Sequence, residues 1–115
     1  MTLPAQKIFV GLLAIHFFAL PAAAGENLVT ILSPADDAKL EATKTYKLEY
    51  EVKPFATAEH VHMFVDGEET AIAHTLKGSF TLGPLKPGSR KVCVSPVNKN
   101  HTAIATQSCI DVTVQ

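Results

Sequence analysis

Residues 59–66 read EHVHMFVD, and this stretch has the pattern of a β-strand. Apolar side chains at positions 61, 63 and 65 alternate with the others, and Gly67 follows directly after the stretch. Because successive side chains of a strand point to opposite faces, His60 and His62 share one face, about 7 Å apart along the strand. Two imidazoles on one rigid element are a candidate metal-binding edge.

The strands around this stretch indicate an all-β fold. Asp66-Gly67 is a strong hairpin signal, so residues 68–73 are expected to return antiparallel. Residues 45–52 alternate apolar and charged side chains, which is typical of a half-buried strand. No stretch has a 3.6-residue apolar period. About seven short strands separated by turns predict an immunoglobulin-like or fibronectin III-like antiparallel β-sandwich. The other predicted strands are 27–32, 79–82, 90–97 and 104–114.

The N-terminus has the pattern of a cleaved signal peptide. Lys7 precedes the apolar run 8–20, Pro21 ends the run, and three alanines at 22–24 form a signal-peptidase site. The run is shorter than the roughly 20 residues that a membrane-spanning helix needs. We therefore predict a signal peptide over residues 1–24 and one exported domain over residues 25–115. The mature protein would be periplasmic or secreted, with no membrane insertion.

The composition narrows the classes of partner. The chain has 115 residues and a formal net charge of −1. Binding to nucleic acid requires a basic face, so this near-neutral charge argues against nucleic acid as a partner. It also lacks the amphipathic helix that lies on a membrane surface. The partners that remain are a metal ion or an envelope protein, and the sequence does not indicate an oligomeric state.

The two cysteines test the predicted register of the last two strands. An antiparallel hairpin centred on His101 places Cys93 opposite Cys109 and Val92 opposite Ile110. Directly opposed residues lie within the range that a disulfide needs. Closing a loop of roughly 15 residues would stabilise the fold by about 3 kcal/mol in the chain-entropy model. The alternative is a thiolate pair that binds a metal, but an exported chain favours the disulfide.

The predicted fold brings together the histidines of residues 25–115. In an immunoglobulin-like sandwich, the loop before the third strand and the loop joining the last two strands lie at the same end. His60 and His62 begin the third strand, His101 lies in the last loop, and the hairpin returns His74 towards Glu59. Imidazole suits Cu(II), Zn(II) and Ni(II). We predict a copper or zinc site, copper first, with His60, His62 and His101 as ligands, His74 as a fourth candidate and Glu59 as an added carboxylate.

Other interpretations of these residues stay open. Exported β-sandwiches also carry histidines without ligands, and a strand histidine can simply form a hydrogen bond to a neighbouring loop. Met63 points away from His60 and His62, so we expect it in the core rather than as a soft copper ligand. Asn100 begins an Asn-His-Thr glycosylation acceptor, which matters only in a eukaryotic secretory pathway. The alternative function is an interaction module that presents the same loop end to an envelope protein.

Several short motifs occur in a fixed order along nearly all of the predicted mature chain. They are Ser33-Pro34, His-x-His-φ-φ-φ-Asp at 60–66, His74, Leu-x-Pro-Gly at 85–88, Asn-Lys-Asn-His at 98–101 and Ile-x-Val-x-Val at 110–114. This order resembles an uncharacterised family of small exported bacterial proteins, a domain of unknown function. Its hallmarks are a His-His-His-Leu-Leu-Ile-Asp strand and a late Asp-Lys-Asn-His loop.

The resemblance points to the same four histidines but supplies no activity. Val61 stands where the family has its middle histidine, and Asn98 stands where the family has aspartate. Periplasmic copper-resistance β-sandwich proteins are similar in architecture and in their use of histidine, which is an analogy at the level of fold.

Catalytic motifs are missing from the sequence. There is no nucleophile-elbow serine, no His-Glu-x-x-His and no pair of carboxylates flanking a plausible cleft. The glutamates at 41, 49, 51, 68 and 69 have the pattern of solvated strand faces and turns. We therefore expect a non-enzymatic protein that binds, buffers or delivers a metal.

Overall fold

A computed structural model describes residues 28–53 and 58–115. The predicted signal peptide, residues 1–24, lies outside the described residues. All regular secondary structure in the described ranges is β-strand, and no helix there is long and apolar enough to cross a membrane. The strands are β1 (Val29–Ser33), β2 (Lys39–Leu40), β3 (Tyr46–Val52), β4 (His60–Val65), β5 (Glu68–Ala73), β6 (Lys77–Leu82), β7 (Gly88–Val97) and β8 (Ser108–Val114).

The strands form two sheets that pack face to face. One sheet has three strands in the order β1-β3-β6, and the other has five in the order β2-β8-β7-β4-β5. All neighbouring pairs are antiparallel except β2 and β8. This architecture confirms the predicted immunoglobulin-like sandwich.

The core between the sheets follows the period of two in the sequence. In β3, Leu48, Tyr50 and Val52 are buried while the charged residues between them are exposed. In β4, Val61 and Met63 are buried against the same core, so the predicted place of Met63 is confirmed. The other buried core residues are Leu28, Val29, Leu40, Phe80, Leu82, Val92, Val94, Ile110, Val112 and Val114.

Two features at the strand ends differ from the prediction. The two-residue strand β2 is not among the predicted strands, and it exists because it pairs in parallel with the end of β8. The last strand begins at Ser108 rather than at residue 104. The segment 98–107 instead folds back on β7 through a bridge between Val97 and Ala103 and a hydrogen bond from the Ile104 N–H to the Pro96 carbonyl.

The β4–β5 hairpin turns at the predicted Asp66-Gly67 pair. Both residues have positive φ, 52° and 83°, as a type I′ turn requires. The Asp66 carboxylate accepts hydrogen bonds from the backbone N–H of Lys91 at 2.9 Å and from the Arg90 guanidinium at 3.1 Å. These two donors, the backbone N–H first, hold the pKa of Asp66 below its usual range.

The disulfide joins the predicted pair of cysteines. Cys93 and Cys109 lie directly opposite each other in β7 and β8, with Cα atoms 4.0 Å apart. Val92 lies opposite Ile110 on the core side, as expected. The bridge therefore closes one hairpin within the five-stranded sheet and does not join the two sheets. Such a bond is typical of proteins in oxidising, extracytoplasmic compartments.

Candidate functional site

The four histidines predicted as ligands meet on the outer face of the five-stranded sheet; we call them the histidine cluster. The His60 ring contacts the His74 ring edge-on at a centroid distance of 4.4 Å, and it stacks on the His101 ring at 5.0 Å. His62 and His101 also have ring centroids 5.0 Å apart. Residues that are distant in sequence are thus brought into contact. Their role as metal ligands stays a prediction.

Strand β4 holds the centre of the cluster. It lies between β5 and β7, so His62 is flanked by Ile72 on one side and Ser95 on the other. His62 is 6% exposed, although it lies on the face turned away from the core. His60, at the start of the strand, lies opposite Val97. The two strand histidines are therefore held on a rigid part of the sheet.

A β-bulge in β5 determines where His74 lies. The register changes by one residue between Met63 and Phe64, which leaves Thr70 as an extra residue in β5. The turn alone would place His74 opposite Glu59. With the extra residue, Val61 lies opposite Ala73, so the next pair along the hairpin is His60 with His74. Bulges re-aim side chains in this way.

The Asn98 side chain shapes the loop that presents His101. Its Oδ1 atom accepts hydrogen bonds from the backbone N–H groups of Asn100 at 2.9 Å and Thr102 at 3.0 Å. The Asn98 carbonyl accepts another from the His101 N–H at 2.9 Å. His101 has φ 60°, a left-handed conformation that non-glycine residues adopt infrequently. This turn directs the imidazole back over the sheet towards His62.

A chain of hydrogen bonds passes through the buried histidine. His62 Nδ1 lies 2.5 Å from Glu69 Oε1, and His62 Nε2 lies 2.8 Å from His101 Nδ1. The carboxylate that bonds to the cluster is therefore that of Glu69 and not of the predicted Glu59. Glu59 is exposed. Sequence reasoning missed Glu69 because its pattern predicts a solvated residue. The turn at Asp66-Gly67 places it opposite Phe64, on the face that His62 occupies.

His60 offers one further candidate ligand nitrogen. Its Nδ1 atom is buried and has no hydrogen-bond partner among the described residues. Buried polar atoms in proteins almost always have a partner, so an unpaired ring nitrogen here invites a ligand. His74 and His101, whose rings pack against that of His60, are both exposed.

The ligand nitrogens do not converge on one point in this arrangement. Within residues 28–53 and 58–115, no group of three or more His, Cys, Asp or Glu side chains has the geometry of a metal site. The rings contact one another instead, and two of the nitrogens are joined by the hydrogen bond between His62 and His101. Metal coordination would therefore require side-chain rotation.

Comparison with solved structures shows what the chain resembles. Its fold is similar to the fibronectin(III)-like modules of CbhA from Clostridium thermocellum, with a TM-score of 0.67 and 15% identity over 76% of this chain and 97% of that one. It is also similar to a lytic polysaccharide monooxygenase from Jonesia denitrificans, with a TM-score of 0.52 and 20% identity. That match covers 71% of this chain and 60% of the monooxygenase chain. At these identities the likeness concerns the fold alone.

Sequence comparison adds no family to this likeness. No protein-family model matches the chain, and no curated protein sequence matches it. The resemblance to the exported bacterial family therefore rests on the quoted motifs. The immunoglobulin-like fold is supported by the structural neighbours.

Proposed function

We propose that this protein is a periplasmic or secreted metal-binding β-sandwich that takes copper first and zinc second at the histidine cluster. The observation that carries the proposal is the mutual contact of four imidazoles from three separate chain segments. Its role would be to bind, buffer or deliver the ion.

The chemistry of the cluster suits a borderline metal ion. Neutral imidazole nitrogens are good ligands for Cu(II) and Zn(II). Among the described residues, sulfur ligands are not at hand, because both cysteines are in the disulfide and Met63 faces the core. The side chains offered to an ion are then nitrogen donors with one carboxylate nearby. This set favours Cu(II) and Zn(II) over softer ions.

The distance between the two nitrogens in the hydrogen bond of His62 and His101 is close to the spacing of two nitrogen ligands on one ion. With metal–nitrogen bonds of about 2.0 Å, two adjacent nitrogens lie about 2.8 Å apart at a right angle and about 3.3 Å apart at a tetrahedral angle. The two nitrogens are now 2.8 Å apart. An ion would replace the shared proton after the rings turn towards a common point, and the exposed His101 is the side chain with freedom to turn.

A metal titration tests this proposal. The purified domain is heated with and without Zn(II) or Cu(II) at several concentrations. Binding at a free concentration of 100 times Kd raises the free energy of unfolding by about 2.7 kcal/mol and therefore raises the Tm. The double variant His60→Ala, His62→Ala should lose this gain. Lys99→Ala, in the same loop as His101, should keep it.

Two results would contradict the proposal. A wild-type domain whose Tm is unchanged by either ion does not bind metal. A gain that survives in the double variant places the site elsewhere in the chain. The Tm of each variant without metal serves as the check that the fold is intact.

The second candidate is an envelope interaction module, and one observation favours it. Ile72 is 44% exposed and lies directly beside His62 on the same face. In this second candidate function, Ile72 and the exposed imidazoles of His74 and His101 would form the contact surface. Under this alternative, the domain would capture an envelope protein in the presence of a chelator, and Ile72→Ser would abolish the capture.

A further inference from the structure

Glu69 is the one carboxylate among the described residues that bonds to the histidine cluster. It lies on the outer face of β5, opposite Phe64, and its side chain is 44% exposed whereas that of His62 is 7% exposed. We propose that Glu69 is a positioning residue that fixes His62 as a metal ligand through Nε2. This inference rests on the proposed metal-binding function.

The argument starts with the proton on the His62 ring. A neutral imidazole carries one N–H, and its other nitrogen has a free lone pair. An ionised carboxylate can only accept hydrogen bonds, so the His62 Nδ1 atom beside Glu69 is the donor. The lone pair is then on Nε2, the atom that faces His101. His101 must in turn donate from Nδ1.

The same pairing prepares the ring for a metal. Histidines that bind metals usually donate their other N–H to a carboxylate or carbonyl, which fixes the ring orientation and raises the basicity of the ligand nitrogen. Here His62 Nδ1 pairs with Glu69, and His62 is held between β5 and β7. Binding would therefore cost little reorganisation at His62, and the movement would fall on His101.

Two variants of Glu69 and one control separate this role from a general charge effect. Glu69→Gln keeps the shape and removes the charge, and Glu69→Ala removes the hydrogen bond. Glu68→Gln makes the same charge change at the adjacent residue, which lies opposite Val65 and not Phe64. Both positions are exposed, and thermal unfolding without metal verifies that each variant is folded.

The readouts are zinc affinity and the His62 tautomer. Zn(II) affinity is measured by competition with a chelator, and two-bond ¹H–¹⁵N spectra of the metal-free protein identify which ring nitrogen carries the proton. We expect a proton on Nδ1 of His62 in the wild type and a 10- to 100-fold loss of zinc affinity in Glu69→Ala. The loss in Glu69→Gln should be smaller, because its amide oxygen still accepts from Nδ1. Glu68→Gln should change the affinity less than twofold.

The outcomes distinguish this inference from the function on which it rests. If the wild type binds zinc and the Glu69 variants bind it equally well, the positioning role is wrong and the metal site stands. A proton on Nε2 of His62 in the metal-free wild type also overturns the role. If the wild type does not bind zinc or copper, the proposed function fails and this inference fails with it.

Discussion

Tyr50 anchors the segment that comes directly after His74. The residue is 1% exposed, and its hydroxyl lies 2.8 Å from the Thr75 carbonyl oxygen and 3.0 Å from Thr75 Oγ1. Gly78, its partner in β6, leaves the room for this contact, because a Cβ there would lie 3.1 Å from Thr75 Oγ1. A tyrosine of the three-stranded sheet thus holds the chain that leaves the five-stranded sheet beside the cluster.

Removing this hydroxyl should weaken the fold. Tyr50→Phe keeps the buried ring and its stacking on Phe80 but loses the bond to the Thr75 carbonyl. The expected loss in the free energy of unfolding is about 1 kcal/mol, measured by urea unfolding. The control is Tyr46→Phe, which removes a hydroxyl that accepts from the exposed Glu41 N–H. Its expected cost is below about 0.5 kcal/mol, and equal losses for the two variants would contradict the anchoring role.

At the scale of the residue, the sequence predicted the histidines but not their carboxylate. His60 and His62 were placed on one face by strand alternation alone, which is a local rule. The Asp66-Gly67 turn pairs Glu69 with Phe64, on the face of His62, so counting back from the turn is the signal that could have found it. The bulge at Thr70, which sets His74 opposite His60, depends on how β5 pairs with β4 in three dimensions.

At the scale of the element, the loop between β7 and β8 decides whether His101 reaches the sheet. Asn98 provides the acceptor for two backbone N–H groups of that loop. Asn98→Ala removes both bonds, each worth about 1 kcal/mol, and should speed amide exchange at Asn100 and Thr102 by about tenfold or more. It should also separate the rings of His62 and His101, seen as changed His101 shifts by NMR.

The matched control for Asn98→Ala is a variant that keeps the side-chain hydrogen-bond acceptor at position 98. Asn98→Asp retains an oxygen at the same position, so both loop amides should exchange at the wild-type rate. Fast exchange in the aspartate variant would show that the amide group of Asn98, and not its oxygen, holds the loop. Unchanged exchange in the alanine variant would show that the backbone bond from His101 to the Asn98 carbonyl is sufficient.

Elements with a strong local signal were predicted, and elements set by tertiary pairing were not. The β4–β5 hairpin was expected from Asp66-Gly67, and the alignment of β7 with β8 was expected from a hairpin centred on His101 that opposes the two cysteines. The strand β2 has two residues and no periodicity of its own, so its existence depends on the neighbouring end of β8. Residues 104–107 belong to the predicted last strand, whereas segment 98–107 folds back on β7.

At the scale of the whole molecule, the core and the disulfide stabilise the fold by different routes. The core joins the two sheets through apolar side chains from both of them. The disulfide lies within the five-stranded sheet and closes the segment that carries the His101 loop. It therefore acts mainly by restricting the unfolded chain, and the packing of one sheet on the other does not depend on it.

Removing the disulfide should therefore lower the stability without dissolving the fold. The double variant Cys93→Ala, Cys109→Ala should remain a folded sandwich at 25 °C but lose about 3 kcal/mol in the free energy of unfolding. Urea unfolding measures the loss, and the m-value should rise because the unfolded chain without the bridge exposes more surface. Wild-type protein kept reduced serves as the control, since it has the same broken bond and both native side chains.

A double variant that is unfolded at 25 °C would show that the core is insufficient alone. One with unchanged stability would show that the closed loop adds nothing, because the unfolded hairpin is already restricted by its own residual structure.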